Sequence, residues 1–221
     1  PAVAQQGKPR VFLIDQPGAV QANIFAAQLA PSSKDPAALA FDMANMVIGG
    51  DFTARLNMNL REEKHWSYGA RSSAGNSVGP RLWSASAPVQ IDKTAESVAE
   101  IQREIAEFSA GKRGTSADEL ARMQKIMTLS LPGAYETAAS VMGTIGSNVL
   151  YGRPDDYVFQ RKAQIEAMTP AQVDAAAKAM DPNALTWVIV GDLTKTEKEV
   201  RALNLGEVTV LDADGKPVAR Q

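Results

Sequence analysis

The residues whose types and spacing are best suited to catalysis or binding are a cation and a phenol seven positions apart, Arg61 and Tyr68. The segment around them, residues 55–70, is predicted to run from the last turn of a helix into the first strand of a hairpin. A short reversal between the two elements brings the guanidinium and the phenol to one side of the sheet end. Together they form a set of hydrogen-bond donors suited to a peptide carbonyl or a developing oxyanion.

A structural interpretation of the same pair stays open on spacing alone. An arginine in the last turn of a helix often complements the helix dipole. A tyrosine in a strand usually packs in the core. The spacing of Arg61 and Tyr68 does not separate these roles from a functional one.

Metal and nucleophile chemistry have few residues to draw on. The chain has one histidine, His65, and no cysteine, whereas a catalytic zinc site normally takes three protein ligands. One histidine cannot supply H-E-x-x-H or H-x-x-E-H, and in its charged run it is predicted to be solvated rather than part of a Ser/His/Asp triad. Phosphate-binding and dinucleotide-binding glycine motifs are missing from the sequence. We therefore predict that this chain binds no metal or cofactor and has no zinc catalysis of its own.

Composition argues against two classes of partner. The formal net charge of the 221 residues is -2, so neither a nucleic acid nor an anionic membrane is an expected partner. No apolar run approaches the roughly 20 residues that a membrane-spanning helix needs. The 45% of hydrophobic residues is ordinary for a soluble globular domain.

The elements that must position Arg61 and Tyr68 are predicted from apolar periodicity and turn residues. Two strands, 11–14 and 23–29, precede a helix that starts at Asp35-Pro36 and stops at Gly49-Gly50. Asp51 is predicted to cap a second helix, which runs through residue 60. A hairpin follows, with strands from Tyr68 to residue 74 and from 82 to 89.

From about residue 98 onward the sequence predicts a series of helices followed by a strand. Apolar residues at helical spacing predict a helix over residues 98–108, and capping boxes predict helix starts at 116–119 and 169–172. A further stripe covers 135–149, where Gly143 and Gly146 would let a neighbour approach closely. A strand at 185–190 and a weak hairpin signal at 208–211 complete the pattern.

This order predicts an α+β fold, with a mostly antiparallel sheet and helices packed on one face. We expect one domain over residues 10–221, with a flexible lead-in at 1–9 and an extended C-terminal tail from about residue 193. The start at Pro1 without a methionine suggests a piece of a longer protein.

Three runs in the first third of the chain resemble the second-half motif of M16 zinc peptidases, the inverzincins of the pitrilysin and processing-peptidase type. They are residues 49–56, 60–64 and 67–69. In that family a helix ends in a Leu-Arg-Glu-like sequence and a tyrosine follows seven residues after the arginine, as here. The order of elements also agrees, and residues 200–206 resemble the C-terminus of long bacterial members. The motif often has glycine where His65 stands, which we interpret as a surface substitution; Trp66 keeps the apolar character of its position.

The resemblance implies a LuxS/MPP-like metallohydrolase domain that pairs with a homologous half. The other half holds zinc through H-x-x-E-H, on the same chain or on a separate subunit. This chain would be the zinc-free, C-terminal-type half. Arg61 and Tyr68 would contact the carbonyl of the peptide substrate and stabilise the intermediate, and the chain alone would be inactive.

Further expectations follow from the same resemblance. The alternative function is a non-catalytic assembly domain, since the family includes structural subunits of membrane complexes. A domain that closes against a homologous half exposes apolar surface, so isolated copies are expected to form homodimers. Long bacterial members are usually exported, which makes a periplasmic or cell-envelope location the expected one.

Overall fold

A six-stranded mixed sheet is the framework that positions Arg61 and Tyr68. The computed structural model describes residues 7–218, except for the side chain of Ala134; residues 1–6 of the predicted lead-in lie outside this range. The strands are β1 (Arg10–Asp15), β2 (Gln21–Ala30), β3 (Arg71–Ala74), β4 (Arg81–Gln90), β5 (Thr186–Gly191) and β6 (Glu207–Leu211).

The strand order in the sheet is β3-β4-β2-β5-β1-β6. The three pairings from β3 to β5 are antiparallel, whereas β1 lies parallel to both β5 and β6. β1 and β2 are consecutive in the chain but are separated in the sheet by β5. Antiparallel pairing therefore predominates at the end of the sheet that carries β3, where Arg61 and Tyr68 lie nearby.

One face of the sheet forms the core. Along β4, every second residue from Arg81 to Val89 is buried, while the residues between them are less buried or exposed. Helical residues such as Phe41, Ile101 and Phe108 belong to the same buried cluster. The predicted α+β fold with helices on one face of the sheet is confirmed.

Eight α-helices accompany the sheet within residues 7–218. They are α1 (Ala38–Asn45), α2 (Arg55–Asn57), α3 (Thr94–Ser109), α4 (Ala117–Leu129), α5 (Ala138–Tyr151), α6 (Tyr157–Glu166), α7 (Pro170–Ala177) and α8 (Leu193–Ala202). α1 and α2 continue as π-helical turns, Met46–Gly50 and Met58–Glu63. Short 3₁₀ turns at Ile91–Lys93 and Leu131–Tyr135 precede α3 and α5.

Two helices begin a few residues later in the structure than the sequence predicted. The carboxylate of Asp35 accepts a hydrogen bond from the Ala37 N–H (2.7 Å), which closes a turn before α1 begins at Ala38. The Asp51 carboxylate likewise accepts from the backbone and the hydroxyl of Thr53, and α2 begins only at Arg55. Both aspartates stabilise a preceding turn rather than the first turn of the helix.

The residues from about 193 onward contribute to the sheet. α8 starts after Asp192, whose carboxylate caps it by accepting from the Thr194 N–H. β6 then pairs along β1, and a bridge between Leu211 and Pro217 forms the turn that the hairpin signal indicated. Within the described range, no helix combines the length and apolar character needed to cross a membrane.

Candidate active-site cleft

Arg61 and Tyr68 line one open cleft beside β3, with a volume of about 580 Å³. Its walls come from the turn after α1, from the end of the α2 segment, from the bend that carries Tyr68, and from the less buried sides of β3 and β4. Its lining also includes Gly49, Asp51, Phe52, Asn57, Arg71 and Pro88. The structure thus brings the two sequence-predicted site residues together in one cavity.

Arg61 is held at the end of the α2 segment by an aromatic ring. Its guanidinium carbon lies 4.6 Å from the centre of the Phe52 ring, close enough for a cation–π contact. Glu62 is its ion-pair partner at 3.5 Å, and both side chains are about two-fifths exposed. An exposed pair at this distance holds the guanidinium weakly, so its N–H groups stay available to a ligand. Arg61 also stands in the last helical turn, where its charge complements the helix dipole.

Tyr68 lies in a bend and not at the start of a strand, so that prediction is wrong. β3 begins three residues later, at Arg71. The Tyr68 side chain is 83% exposed, which excludes a core role for the ring. A fully accessible phenol at the mouth of a cleft is available for a hydrogen bond to a bound molecule.

The bend has a clear cause in the opposite strand. Pro88 of β4 has no N–H to donate to a neighbouring strand, and its carbonyl accepts from the Ser67 hydroxyl at 2.5 Å. The same hydroxyl also hydrogen-bonds to the backbone of Gly69. The Ala70 N–H donates to the Asn57 side chain (3.1 Å). These side-chain bonds replace the regular ladder and turn Tyr68 outward.

Asn57 connects the two sides of the cleft. It is buried, donates to the Phe52 carbonyl at 2.7 Å, and accepts from the Ala70 N–H. The Phe52 ring packs against the Arg61 guanidinium, and Ala70 comes directly after the bend that contains Tyr68. One amide side chain therefore fixes the spacing of the segments that present the guanidinium and the phenol.

His65 ends the helical segment rather than contributing a metal ligand. It has φ of 57°, in the left-handed region that favours glycine. Its ring nitrogen Nδ1 lies 3.0 Å from the Arg61 carbonyl oxygen, and the side chain is exposed. The conformation explains why the related motif often has glycine at this position.

A buried ion pair anchors the helix that leads to Arg61. The Arg55 guanidinium donates to both carboxylate oxygens of Glu119, at 2.7 and 2.8 Å, and to the carbonyls of Arg113 and Gly114. Burial raises the pKa of the Glu119 carboxyl, but the hydrogen bonds and charge of Arg55, with those of Ser116, outweigh it and lower the pKa to about 2. The pair joins α2 to α4.

Gly49 and Asp51 shape the wall opposite Tyr68. A Cβ atom on Gly49 would lie 2.6 Å from the backbone nitrogen of Ser72 in β3, so only glycine allows this close approach. Burial raises the pKa of Asp51, but hydrogen bonds from the Thr53 backbone and hydroxyl lower it below its usual value. The Asp51 carboxylate is thus committed to its own turn.

Three cleft residues were missed in the sequence analysis: Phe52, Asn57 and Arg71. Arg71 is exposed on β3, opposite Ser86, and forms no ion pair in the described part of the chain. It adds a second cation to the cleft. Because Arg71 stands in a short polar strand close to Tyr68, the sequence could have indicated it as a cleft residue. The roles of Phe52 and Asn57 depend on tertiary contacts that periodicity does not encode.

The residues of this chain do not fit a zinc site. Among residues 7–218, no three side chains of the His, Cys, Asp and Glu types converge as metal ligands. His65 is the single histidine of the sequence, and its ring faces a backbone carbonyl. The cleft offers hydrogen-bond donors and positive charge, which suit a carbonyl oxygen or an anion.

Comparison with known proteins identifies a family. Residues 1–127 match the family model described as the peptidase M16 inactive domain. No curated protein sequence matches the chain.

Solved structures share the fold at low identity. A peptidase M16 inactive domain from Pseudomonas fluorescens is 22% identical, with a TM-score of 0.76, over 84% of this chain and 44% of that one. The periplasmic protease PqqL from Escherichia coli is 16% identical, with a TM-score of 0.68, over 85% of this chain and 21% of that one. A chain of Complex III2 from Candida albicans is 15% identical, with a TM-score of 0.68, over 88% of this chain and 49% of that one. The chain therefore spans less than half the length of each.

Proposed function

Because the chain belongs to the peptidase M16 family and matches its inactive-domain type, we propose that it is the zinc-free half of a metalloendopeptidase. It closes the active-site chamber and supplies Arg61 and Tyr68 to the carbonyl of the peptide substrate. The observation that carries this proposal is the shared cleft, which a weakly paired guanidinium and an exposed phenol both line. Zinc belongs to the other half in this account.

The chemistry of the two groups supports the proposal. Peptide hydrolysis turns a carbonyl oxygen into an oxyanion, and donors aimed at that oxygen stabilise the transition state more than the ground state. Arginine stays protonated at all relevant pH values, and the phenol of Tyr68 donates a second hydrogen bond. The contacts of Asn57 and Phe52 fix the backbone segments that present the two side chains, which reduces the ordering needed when a substrate binds.

An exposed apolar surface on α5 supports the expectation of a large protein partner. α5 has no buried residue, and Met142, Ile145, Val149 and Leu150 are each more than half exposed. Exposed apolar patches of this kind usually mark protein–protein contacts. We assign this surface to the zinc-bearing half, on the same chain or on another subunit. A periplasmic or cell-envelope location is part of the proposal.

The test is reconstitution with the zinc-bearing half and measurement of kcat/KM on an unfolded peptide. Arg61→Ala and Tyr68→Phe are each expected to lower kcat/KM about a hundredfold to a thousandfold, which is the loss of one transition-state donor at roughly 2.7–4 kcal/mol. Arg201→Ala and Tyr135→Phe are matched controls outside the cleft and should leave the rate unchanged. Equal rates for all four variants would refute the catalytic role.

The alternative function is a structural assembly domain. The fold similarity to a chain of Complex III2 favours it. The joint presence of Arg61 and Tyr68 in one open cleft favours the catalytic role, because a purely structural domain has no use for the pair. In the reconstitution, a structural domain would support assembly with no effect of either substitution on turnover.

A further inference from the structure

A second cleft lies at the opposite end of β4. Its volume is about 480 Å³, between the turn before α1 and the junction of α5 with α6. Arg81 borders it at the start of β4, and Pro88 borders the Arg61/Tyr68 cleft. Their separation of seven positions corresponds to roughly 23 Å of strand, so the two clefts are separate sites.

Positive charge dominates this second cleft. Its lining includes four cations, Lys34, Arg81, Arg153 and Arg161, and two carboxylates, Asp35 and Asp42, for a balance of 4 − 2 = +2. The whole chain has a formal net charge of -2. Asp42 pairs with Arg81 at 2.6 Å, and Asp35 accepts from the Ala37 N–H. Lys34, Arg153 and Arg161 form no ion pair within residues 7–218.

Arg153 is fixed in place without a counter-charge. Its guanidinium lies 4.6 Å from the centre of the Tyr151 ring and 4.4 Å from that of Tyr157. It also donates to the Ser147 hydroxyl at 3.3 Å. Two aromatic contacts hold the planar group and leave further N–H donors unused, an arrangement suited to carboxylate recognition.

Arg81 adds a buried cation to the wall. Its side chain is 1% exposed and donates to the Pro31 carbonyl and to Asp42. Its second terminal nitrogen, Nη2, has no hydrogen-bond partner among the described residues. Asp42 balances the charge of Arg81, so the uncompensated charge of the cleft belongs to Lys34, Arg153 and Arg161, and Arg81 contributes an unpaired hydrogen-bond donor.

We propose that this cleft binds an acidic segment of a peptide and that its cations contact the carboxylates of that peptide. The free cations stand on two walls, with Lys34 before α1 and Arg153 and Arg161 at the α5–α6 junction. This spread suits two or more separate carboxylates better than one compact phosphate. The volume lies within the roughly 300–1,000 Å³ of ordinary ligand pockets. The site does not rest on the proposed peptidase function, because none of its residues belongs to the Arg61/Tyr68 cleft.

The test is fluorescence anisotropy of a labelled glutamate-rich peptide with the 221-residue chain alone. A glutamine-rich peptide of the same length is the ligand control. The glutamate peptide should bind at least about tenfold more tightly, and the double substitution Arg153→Ala with Arg161→Ala should weaken it about tenfold or more. Lys162→Ala is the matched control, since Lys162 follows Arg161 on α6 but pairs with Glu166 outside the cleft.

Thermal unfolding of each variant checks that the fold is retained, and the single Lys34→Ala tests the opposite wall if the double variant does not fold. Equal affinity for the two peptides, or no loss in the cleft variants, would overturn the proposal. Displacement of the peptide by inorganic phosphate as effectively as by unlabelled peptide would make this a phosphate site and would also overturn it. Because the zinc-bearing half is not in the assay, this result is independent of the peptidase test.

Discussion

At the scale of single residues, His65 shows how one backbone conformation constrains the site. It ends the segment that carries Arg61 and has positive φ. A non-glycine residue in this region costs roughly 1–2 kcal/mol. The contact of its ring with the Arg61 carbonyl offsets part of that cost.

Replacing His65 with glycine is therefore expected to raise the free energy of unfolding by about 1 kcal/mol. Urea unfolding followed by circular dichroism measures the change. Asn204→Gly is the matched control, because Asn204 also has positive φ but asparagine tolerates that region, so its gain should be smaller. A loss of stability in His65→Gly would mean that the ring contact outweighs the backbone strain.

The residue scale also shows what the sequence alone could provide. The type and spacing of Arg61 and Tyr68 make a donor pair possible, because both lie within one local segment, and the family resemblance was needed to favour that role over a structural one. The exposure of Tyr68 depends on Pro88 and Ser67 acting across two strands, and periodicity predicted a strand there instead. Arg81 and Arg153 meet in one cleft through contacts between distant parts of the chain, which local patterns do not contain.

At the scale of elements, the Arg55–Glu119 pair fixes the helix that ends in Arg61. The Glu119 carboxyl has an ordinary pKa of 4.5 and a folded-state pKa of about 2. Because the folded value is the lower one, the carboxylate contributes stability above pH 4.5 and loses it as the pH falls through about 2. The contribution is on the order of 3 kcal/mol.

Glu119→Gln is expected to destabilise the protein by about 3 kcal/mol at neutral pH, since it leaves the buried Arg55 charge without a carboxylate. It should also flatten the decline in stability between pH 4.5 and 2. Chemical unfolding at several pH values measures both effects. Glu166→Gln, which removes an exposed pair with Lys162, should change stability by less than about 1 kcal/mol. An unchanged acid dependence in Glu119→Gln would contradict the assigned role of the pair.

Most strands and the capped helices were predicted from local signals, whereas the order of the strands in the sheet was not. The capping box at Ser116 and Glu119 opens α4 as expected. α6 and α8 were missed. α6 buries only Ile165, so its apolar pattern is weak, whereas α8 has a helical signal in the Asp192 cap and in Leu193, Thr196 and Val200, which share its buried face. The place of β1 between β5 and β6 joins residues almost 200 positions apart, and no local pattern specifies it.

At the scale of the whole molecule, α5 presents an apolar face that the described residues leave exposed. Gly143 and Gly146 were predicted to allow a close neighbour, and in the described range no atom lies near a Cβ built on either. The open side of the sheet also carries Phe25, which is 44% exposed. In the proposed assembly these surfaces contact the other half.

The isolated chain is therefore expected to form dimers at high concentration, because apolar surface left open favours association. Multi-angle light scattering measures the mass. Ile145→Glu with Val149→Glu should shift the chain to monomer without unfolding it, since both side chains are more than half exposed. Val78→Glu, at an exposed residue between β3 and β4, is the control. A single monomeric species for the unsubstituted chain at high concentration would contradict this assignment.

The most direct measurement of the central claim is turnover by the reconstituted assembly with Tyr68→Phe, with its zinc content determined in the same sample. The substitution removes one hydroxyl from an exposed side chain, so folding and assembly should be unaffected. We predict that kcat/KM falls about a hundredfold to a thousandfold while the zinc content stays unchanged, because this half supplies a donor and no metal ligand. Unchanged turnover, or loss of zinc together with activity, would contradict the account.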